Sequence, residues 1–321
     1  MSSKRSGEET MGGPTLAKRR EEDDESKCVP ELFVPYNIDQ WVEENKGFFQ
    51  PPVCNKLMHE DGQMKVFFVG GPNQRRDYHI EEGEELFYMM KGDMCLKVLE
   101  KGVHRDIEIK EGQVFLLPAR IPHSPQRKAD TVGLVIERER NADELDGLRY
   151  FVEDQGKLTT ETLYEKWFHC EDLGPQLAAV IKEFFTTEQY KTGKPVKGTI
   201  SEKPPVSIDE EVSIDDPIYL KNWLEENRKE LMKNGAVTLY GNGSQFEVML
   251  FGKGQFSGEQ AHLETFLWQL EGSCDLRVKD RQWRLEENGS VLVKAGVRYE
   301  GNNKEDSVTL VCYQDPSKKT E

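Results

Sequence analysis

Residues 73–93 read NQRRDYHIEEGEELFYMMKGD, and residues 117–127 read LPARIPHSPQR. These stretches place His79 six residues before Glu85, and a second histidine, His123, in a Pro-bounded segment downstream. Two imidazoles and one carboxylate suit a borderline divalent metal that keeps coordination positions open. Non-haem Fe(II) oxygenases use this donor set to hold substrate and O2 side by side. A His and a Glu six apart also arise by chance, as a surface histidine and a solvated acidic turn, but the second motif weighs against that. The chain reads as a mononuclear metalloenzyme.

Side chains two apart on a strand share a face. Arg75, Asp77 and His79 then point one way, as do Glu85, Phe87 and Met89, and again His123, Pro125 and Arg127. Glu81, Glu82 and Glu84 compete with Glu85 as ligand, but this pattern puts them in the Gly83-containing turn or on the opposite face. Glu85 is the best carboxylate candidate. Arg75 lies four residues before one ligand and Arg127 four after another, so both are expected on the metal-facing side. Their planar forks suit a carboxylate, although a surface position is the ordinary alternative for either arginine alone. Glu137 lies in an apolar strand, VGLVIERER, with the parity of Val135. An inward carboxylate there must be paired or must take part in chemistry.

The spacing around these residues is Gly71, five residues, Asp77, one residue, His79, five residues, Glu85, six residues, Gly92; then Gly112, five residues, Pro118, followed by His123 and Arg127. It resembles the two motifs of the cupin superfamily, small antiparallel β-barrels whose ligands project inward from adjacent strands. Asp77 stands where many cupins have another histidine, and Arg120 and Arg127 where they often have Gly and Asn. Three ligands are therefore expected rather than four.

With 321 residues and 36% hydrophobic content the chain can hold two packed domains. No apolar run approaches a membrane span, and a net charge of -16 disfavours nucleic acid as a partner. The cysteines, Cys28, Cys54, Cys95, Cys170, Cys274 and Cys312, are scattered without a CxxC pair, as expected of free thiols in a reducing cytosol. Residues 1–30 are polar and charged and are expected to be disordered. Lys4-Arg5 and Lys18-Arg19-Arg20 have the spacing of a bipartite nuclear signal, but the acidic run after them makes a solvated tail as good a reading.

From Val34 to Arg140 short alternating segments broken by Gly, Pro and Asp predict an antiparallel barrel. Residues 141–236 carry helical patterns, LYEKWF, QLAAVIKEFF and IYLKNWLEENRKELMKNG, the last stopped by Gly235. The final eighty residues repeat the barrel pattern, Gly272 matching Gly92 and Gly289 matching Gly112. In that repeat Thr265 falls where Glu85 stands, Glu259 where His79 stands and Glu300 where His123 stands, and His262 reads as a turn or surface residue. His59, His104 and His169 read as packing or surface residues. The expected division is a polar tail (1–30), a metal-binding cupin with following helices (31–190), a linker with a helix (191–236) and a metal-free cupin (237–321). The fold class is mainly β: two double-stranded β-helix, jelly-roll barrels fused through a helical linker. The second barrel would cover the exposed sheet of the first, and a fused pair of this kind predicts a monomer.

Together with VGLVIERER and LYEKWFHCEDLG, the opening stretches are similar to the 3-hydroxyanthranilate 3,4-dioxygenase family in its animal-type two-cupin form. The resemblance covers nearly everything after the first thirty residues. It implies an Fe(2+) extradiol-type enzyme of the kynurenine pathway that opens 3-hydroxyanthranilate with O2. The product, 2-amino-3-carboxymuconate semialdehyde, cyclises to quinolinate, a precursor of NAD. It further implies His79, Glu85 and His123 as the iron ligands. Asn55, Arg75, Glu85, Arg127 and Glu137 would bind substrate, and Arg75 would also contact O2. Arg127, helped by Arg75, would hold the substrate carboxylate. Glu137 would accept the phenol proton, and Val53, Phe87 and Pro125 would exclude water. The competing readings are a cupin dioxygenase for another aminophenol and a cupin that binds a small acid without turnover.

Overall fold

The computed structural model describes residues 33–51, 54–59, 62–241 and 243–319. The polar tail, Cys28 and Val53 lie outside the described residues. Residues Phe33–Glu321 form one compact unit, built from two barrels of two sheets each.

In the first barrel one six-stranded sheet runs, in spatial order, Ile218–Tyr219, Gln113–Leu117, Glu85–Lys91, Val132–Arg138, Met64–Gly70 and Asn55–His59. The opposing sheet runs Lys157–Phe168, Asp146–Asp154, Tyr78–Ile80, His123–Arg127, Met94–Glu100 and Val103–Ile109. In the second barrel the six-stranded sheet is Tyr36–Asn37, Gly289–Val293, Thr265–Glu271, Val308–Gln314, Phe246–Phe251 and Ala236–Tyr240. Its partner has four strands, Gly254–Gly258, Tyr299–Asn303, Cys274–Val278 and Arg281–Leu285. All the pairings in both barrels are antiparallel.

The first barrel's sheet that holds Glu85–Lys91 packs on the six-stranded sheet of the second barrel, and the alternation along each strand shows how. Met64, Val66 and Phe68, with Leu134, Ile136 and Leu86, leave the first barrel outward and meet Phe246, Val248, Phe266, Trp268 and Leu310 of the second in one apolar core. The intervening residues of the same strands, Val69, Phe87, Met89 and Val135, point into the first barrel. Each fully buried side chain of this size contributes about 1.5–3 kcal/mol, so the inter-barrel core is a principal source of stability. The second barrel thus covers what would be an exposed apolar sheet, as the repeat suggested.

Two short strands are exchanged across the two repeats: Tyr36–Asn37 pairs with Gly289–Val293, and Ile218–Tyr219 pairs with Gln113–Leu117. Two-residue edge strands carry no periodicity that a sequence pattern could register. The segment LYEKWF is not helical. It lies in the strand Lys157–Phe168, paired along Asp146–Asp154, so the first barrel continues well beyond Arg140. Six residues are too few to separate the two periods, and here the cross-strand partners decided; Arg149 Nε donates to Glu165 Oε2 at 2.8 Å. The helix Leu173–Phe184 covers QLAAVIKEF, and Leu220–Asn234 ends at Gly235, whose φ of 79° is the left-handed cap a glycine accepts without strain. A helix not anticipated, Ile38–Asn45, is capped by the Asn37 side chain, which accepts from Gln40 N at 3.0 Å.

Candidate metal centre and its cavity

His79 sits in the three-residue strand Tyr78–Ile80 and His123 opens the strand His123–Arg127; the two are direct cross-strand partners. Their rings stand edge to face, centroids 5.2 Å apart. Glu85 begins the neighbouring sheet's strand, and its Oε1 lies 2.8 Å from His123 Nε2. One ligand atom from each of His79, Glu85 and His123 falls within 4.8 Å of the others, and all three residues are buried. Glu85 Oε1 has no aligned hydrogen-bond donor. A buried carboxylate oxygen without a donor, facing two imidazoles, fits a cation.

The other nitrogen of each imidazole is fixed. His123 Nδ1 donates to Ile121 O at 2.9 Å, leaving Nε2 for a metal, and His79 Nε2 contacts Asp146 Oδ2 at 2.7 Å, leaving Nδ1. Such partners set tautomer and ring orientation. Asp146 is itself gripped by Arg140, whose Nε and Nη2 donate to its two oxygens at 2.8 Å each. Arg140 also pairs with Glu81 at 2.8 Å and with Glu137 at 3.5 Å. Sequence parity missed this buried ionic hub. Glu81, expected in a turn or on the far face, is 3% exposed and belongs with Glu85 and Glu137 to a carboxylate cluster inside the barrel. It lies just beyond the strand Tyr78–Ile80, where alternation no longer governs direction. The ERER and ELD runs held the only available signal, as charges in an otherwise apolar stretch.

These neighbours tune charge. Burial pushes the Glu85 carboxyl up, but the charge of the neighbouring imidazoles, His123 first and then His79, outweighs it and holds Glu85 below the usual carboxylate range. His123 is affected in the opposite sense: burial lowers it, and Glu85 more than restores it. Burial pushes Glu137 up to about 7, with Arg140 opposing and Glu85 and Asp146 adding to the rise. Burial brings Arg127 down to about 10 against the pull of Glu85.

A cavity of 520 Å³ opens on this centre, lined by Arg75, Arg127, Glu137, Phe87, Pro125 and Val135 among others, with Asn55 at its exposed rim. Every described residue expected at the site therefore lines one space. Arg127 is 4% exposed and its Nε has no partner. Arg75 differs: its guanidinium is committed to Asp77, with Nε donating to Oδ2 at 3.0 Å. Asp77, at the place of a further histidine in many cupins, is thus paired with an arginine. Leu177, Ala178 and Ile181 of the helix Leu173–Phe184 form an apolar wall that the sequence did not announce as functional. His104 Nε2 and His169 Nδ1 donate to the backbone carbonyls of Thr159 and Glu144, each at 2.9 Å, His59 lies between Tyr36 and Phe266, and His262 is exposed.

Fold and site together define a two-barrel cupin with, among the described residues, one buried two-histidine, one-carboxylate centre. Its architecture is shared with a salicylate 1,2-dioxygenase from Pseudaminobacter salicylatoxidans, at TM-score 0.54 and 10% identity, over 91% of this chain and 88% of that one; at that identity the likeness is one of fold. The 3-hydroxyanthranilic acid dioxygenase family model matches residues 32–185. A 3-hydroxyanthranilate 3,4-dioxygenase of Homo sapiens is 50% identical over 280 residues, 87% of this chain and 96% of that protein. Another, of Nematostella vectensis, is 49% identical over 271 residues, 84% and 96% of the respective chains. The chain belongs to the 3-hydroxyanthranilic acid dioxygenase family.

Proposed function

We propose that this chain opens the ring of 3-hydroxyanthranilate with O2, giving 2-amino-3-carboxymuconate semialdehyde, with Fe(II) held by His79, Glu85 and His123. The observation that carries the reading is the buried triad at a cavity whose wall presents the unpartnered Nε of Arg127. Fe(II) held by these residues would supply open coordination positions for the substrate and for O2. Arg127 donates to the substrate carboxylate, and the spare face of Arg75 adds positive charge beside it and toward O2. Glu137, with a carboxyl at about 7 and an Oε2 that has no partner, takes the phenol proton. Phe87, Pro125 and Val135 keep water from the reacting ring. Asn55 at the rim contacts the substrate as it enters.

On this reading the protein is a monomer, since the sheet that would dimerise a single cupin is covered by its own second barrel. The described cysteines Cys54, Cys95, Cys170, Cys274 and Cys312 are free thiols, in keeping with a cytosolic enzyme. No helix among the described residues is long and apolar enough to cross a membrane.

Oxygen uptake with a panel of aminophenols, with and without added Fe(II), tests the proposal. Uptake that needs iron and is fastest with 3-hydroxyanthranilate is expected. Faster uptake with an aminophenol lacking the adjacent carboxylate would move the substrate assignment, and binding without uptake would favour a non-catalytic small-acid cupin.

A further inference from the structure

We infer that the second barrel is a working part of the metal centre: Gln245 and Gln314 pin the turn that separates ligand His79 from ligand Glu85, and so set the metal affinity. The inference rests on the metal-site reading above. Residues 81–84 join the strand carrying His79 to the strand beginning at Glu85, and the spacing of these two ligands depends on the shape of this turn. Among the described residues no backbone hydrogen bond closes the turn on itself. Its carbonyls are met from outside instead. Arg120 N donates to Glu81 O at 2.8 Å from within the first barrel. The next two donors come from the other repeat: Gln245 Nε2 to Glu82 O and Gln314 Nε2 to Glu84 O, both at 2.8 Å.

Both glutamines are buried, at 2% and 0% exposure, so each unmade bond would leave a carbonyl and an amide without water. Further contacts converge on the same turn. Phe246 N donates to Glu84 Oε2 at 2.8 Å, and Lys319 pairs with Glu82 at 2.6 Å. Gln245 also accepts from Arg138 Nε at 3.1 Å, which ties the same side chain to the strand bearing Glu137. A carboxamide donates and accepts at once, so Gln245 fixes ligand turn and acid–base strand relative to each other. An inter-barrel surface serving only to bury area would need apolar side chains at these positions, as it has around Phe266 and Trp268.

The experiment is an anaerobic calorimetric titration of full-length protein with Fe(II), run on the wild type, Gln245→Met, Gln314→Met and Gln269→Leu. Methionine keeps the volume and removes the donor. Gln269 is equally buried but bonds only within the second barrel, to Glu271 O and Thr309 Oγ1. Each pin variant should bind Fe(II) about tenfold more weakly, the low end for partners that orient ligands, and amide exchange over 81–85 in metal-free protein should quicken. The Gln269 variant should lose thermal stability yet keep its affinity. Unchanged affinity and exchange in the pin variants, or equal weakening in the Gln269 variant, overturns the inference. Should a pin variant unfold, Lys319→Met at the half-buried rim is read by the same exchange over 81–85, where faster exchange is expected and no change counts against the pin. A wild type that takes up no Fe(II) sinks the metal-site reading, and is distinguishable from a variant that merely matches the wild type.

Discussion

The first and second barrels are one plan with opposite interiors. In the first, His79 faces His123 across the sheet; at the same place in the second, Gly258 faces Tyr299. Glu85, paired with Leu117, has its counterpart in Thr265, paired with Val293. Arg127, paired with Met94, has its counterpart in Asn303, paired with Cys274. In the second barrel side chains fill the corresponding space. Gly258 leaves room for the Tyr299 ring, whose hydroxyl would collide with any Cβ there, and Gly301 does the same for Phe256. Leu276, Val278, Leu285, Val291 and Val311 complete an apolar core. Asn303 turns its amide to Phe251 O and Gly252 O instead of a ligand. One barrel keeps a charged cavity and bears the desolvation cost of Arg127, Glu81 and Glu137; the other uses its interior for packing. The turn between the first barrel's two candidate ligands accepts hydrogen bonds from Gln245 and Gln314 of the second.

The comparison can be broken most forcefully at the ligands. His79→Ala or Glu85→Ala should remove bound iron and abolish oxygen uptake, checked by metal analysis and an oxygen electrode; full activity would mean that the first barrel's triad is not the centre. Arg127→Ala should leave iron content intact and lower kcat/KM roughly 10- to 150-fold, a loss of about 1.5–3 kcal/mol, mostly through KM. Steady-state kinetics on the iron-loaded variant reads this directly.

Glu137 sharpens the contrast through pH. Its carboxyl is raised to about 7 by burial, so as a base it is active only once deprotonated. The rate should climb as pH rises and then level off, with the limb displaced below that value because bound metal favours the carboxylate. Glu137→Gln should flatten the limb in a kcat/KM profile. In the second barrel, Gly258→Ala should cost about 1–3 kcal/mol through overpacking against Tyr299, lowering Tm without altering iron content. Smallest of all, Glu300→Ala should leave both Tm and iron content near the wild type, since Glu300 faces outward between Arg277 and Arg298.

Glu300 also shows how far the sequence could be read. Glycine matching placed it and Glu259 opposite His123 and His79, but strand register assigns those places to Tyr299 and Gly258, one residue earlier. A slip of one residue exchanges the faces of a strand, and glycines anchor turns rather than register. The ligands of the first barrel were legible because His, Glu and Arg stand at fixed intervals in short strands. Asp146, Arg140 and Glu81 were not, because they meet from the start of one strand, the loop leading into it and a separate turn, and only the closed barrel brings them to Glu137. The fold class was plain in the repeated Gly-bounded strands. The strand containing LYEKWF was hidden because those six residues do not separate the helical period from the strand period, and the exchanged edge strands by having two residues each.

The most direct test of the asymmetry is the iron count per chain after anaerobic loading, paired with O2 consumed on adding 3-hydroxyanthranilate. One Fe(II) per chain, lost in His79→Ala, with one O2 taken up per substrate molecule, is the expected result. A second equivalent of tightly held iron that survives His79→Ala, or iron-loaded protein that consumes no O2, would contradict it.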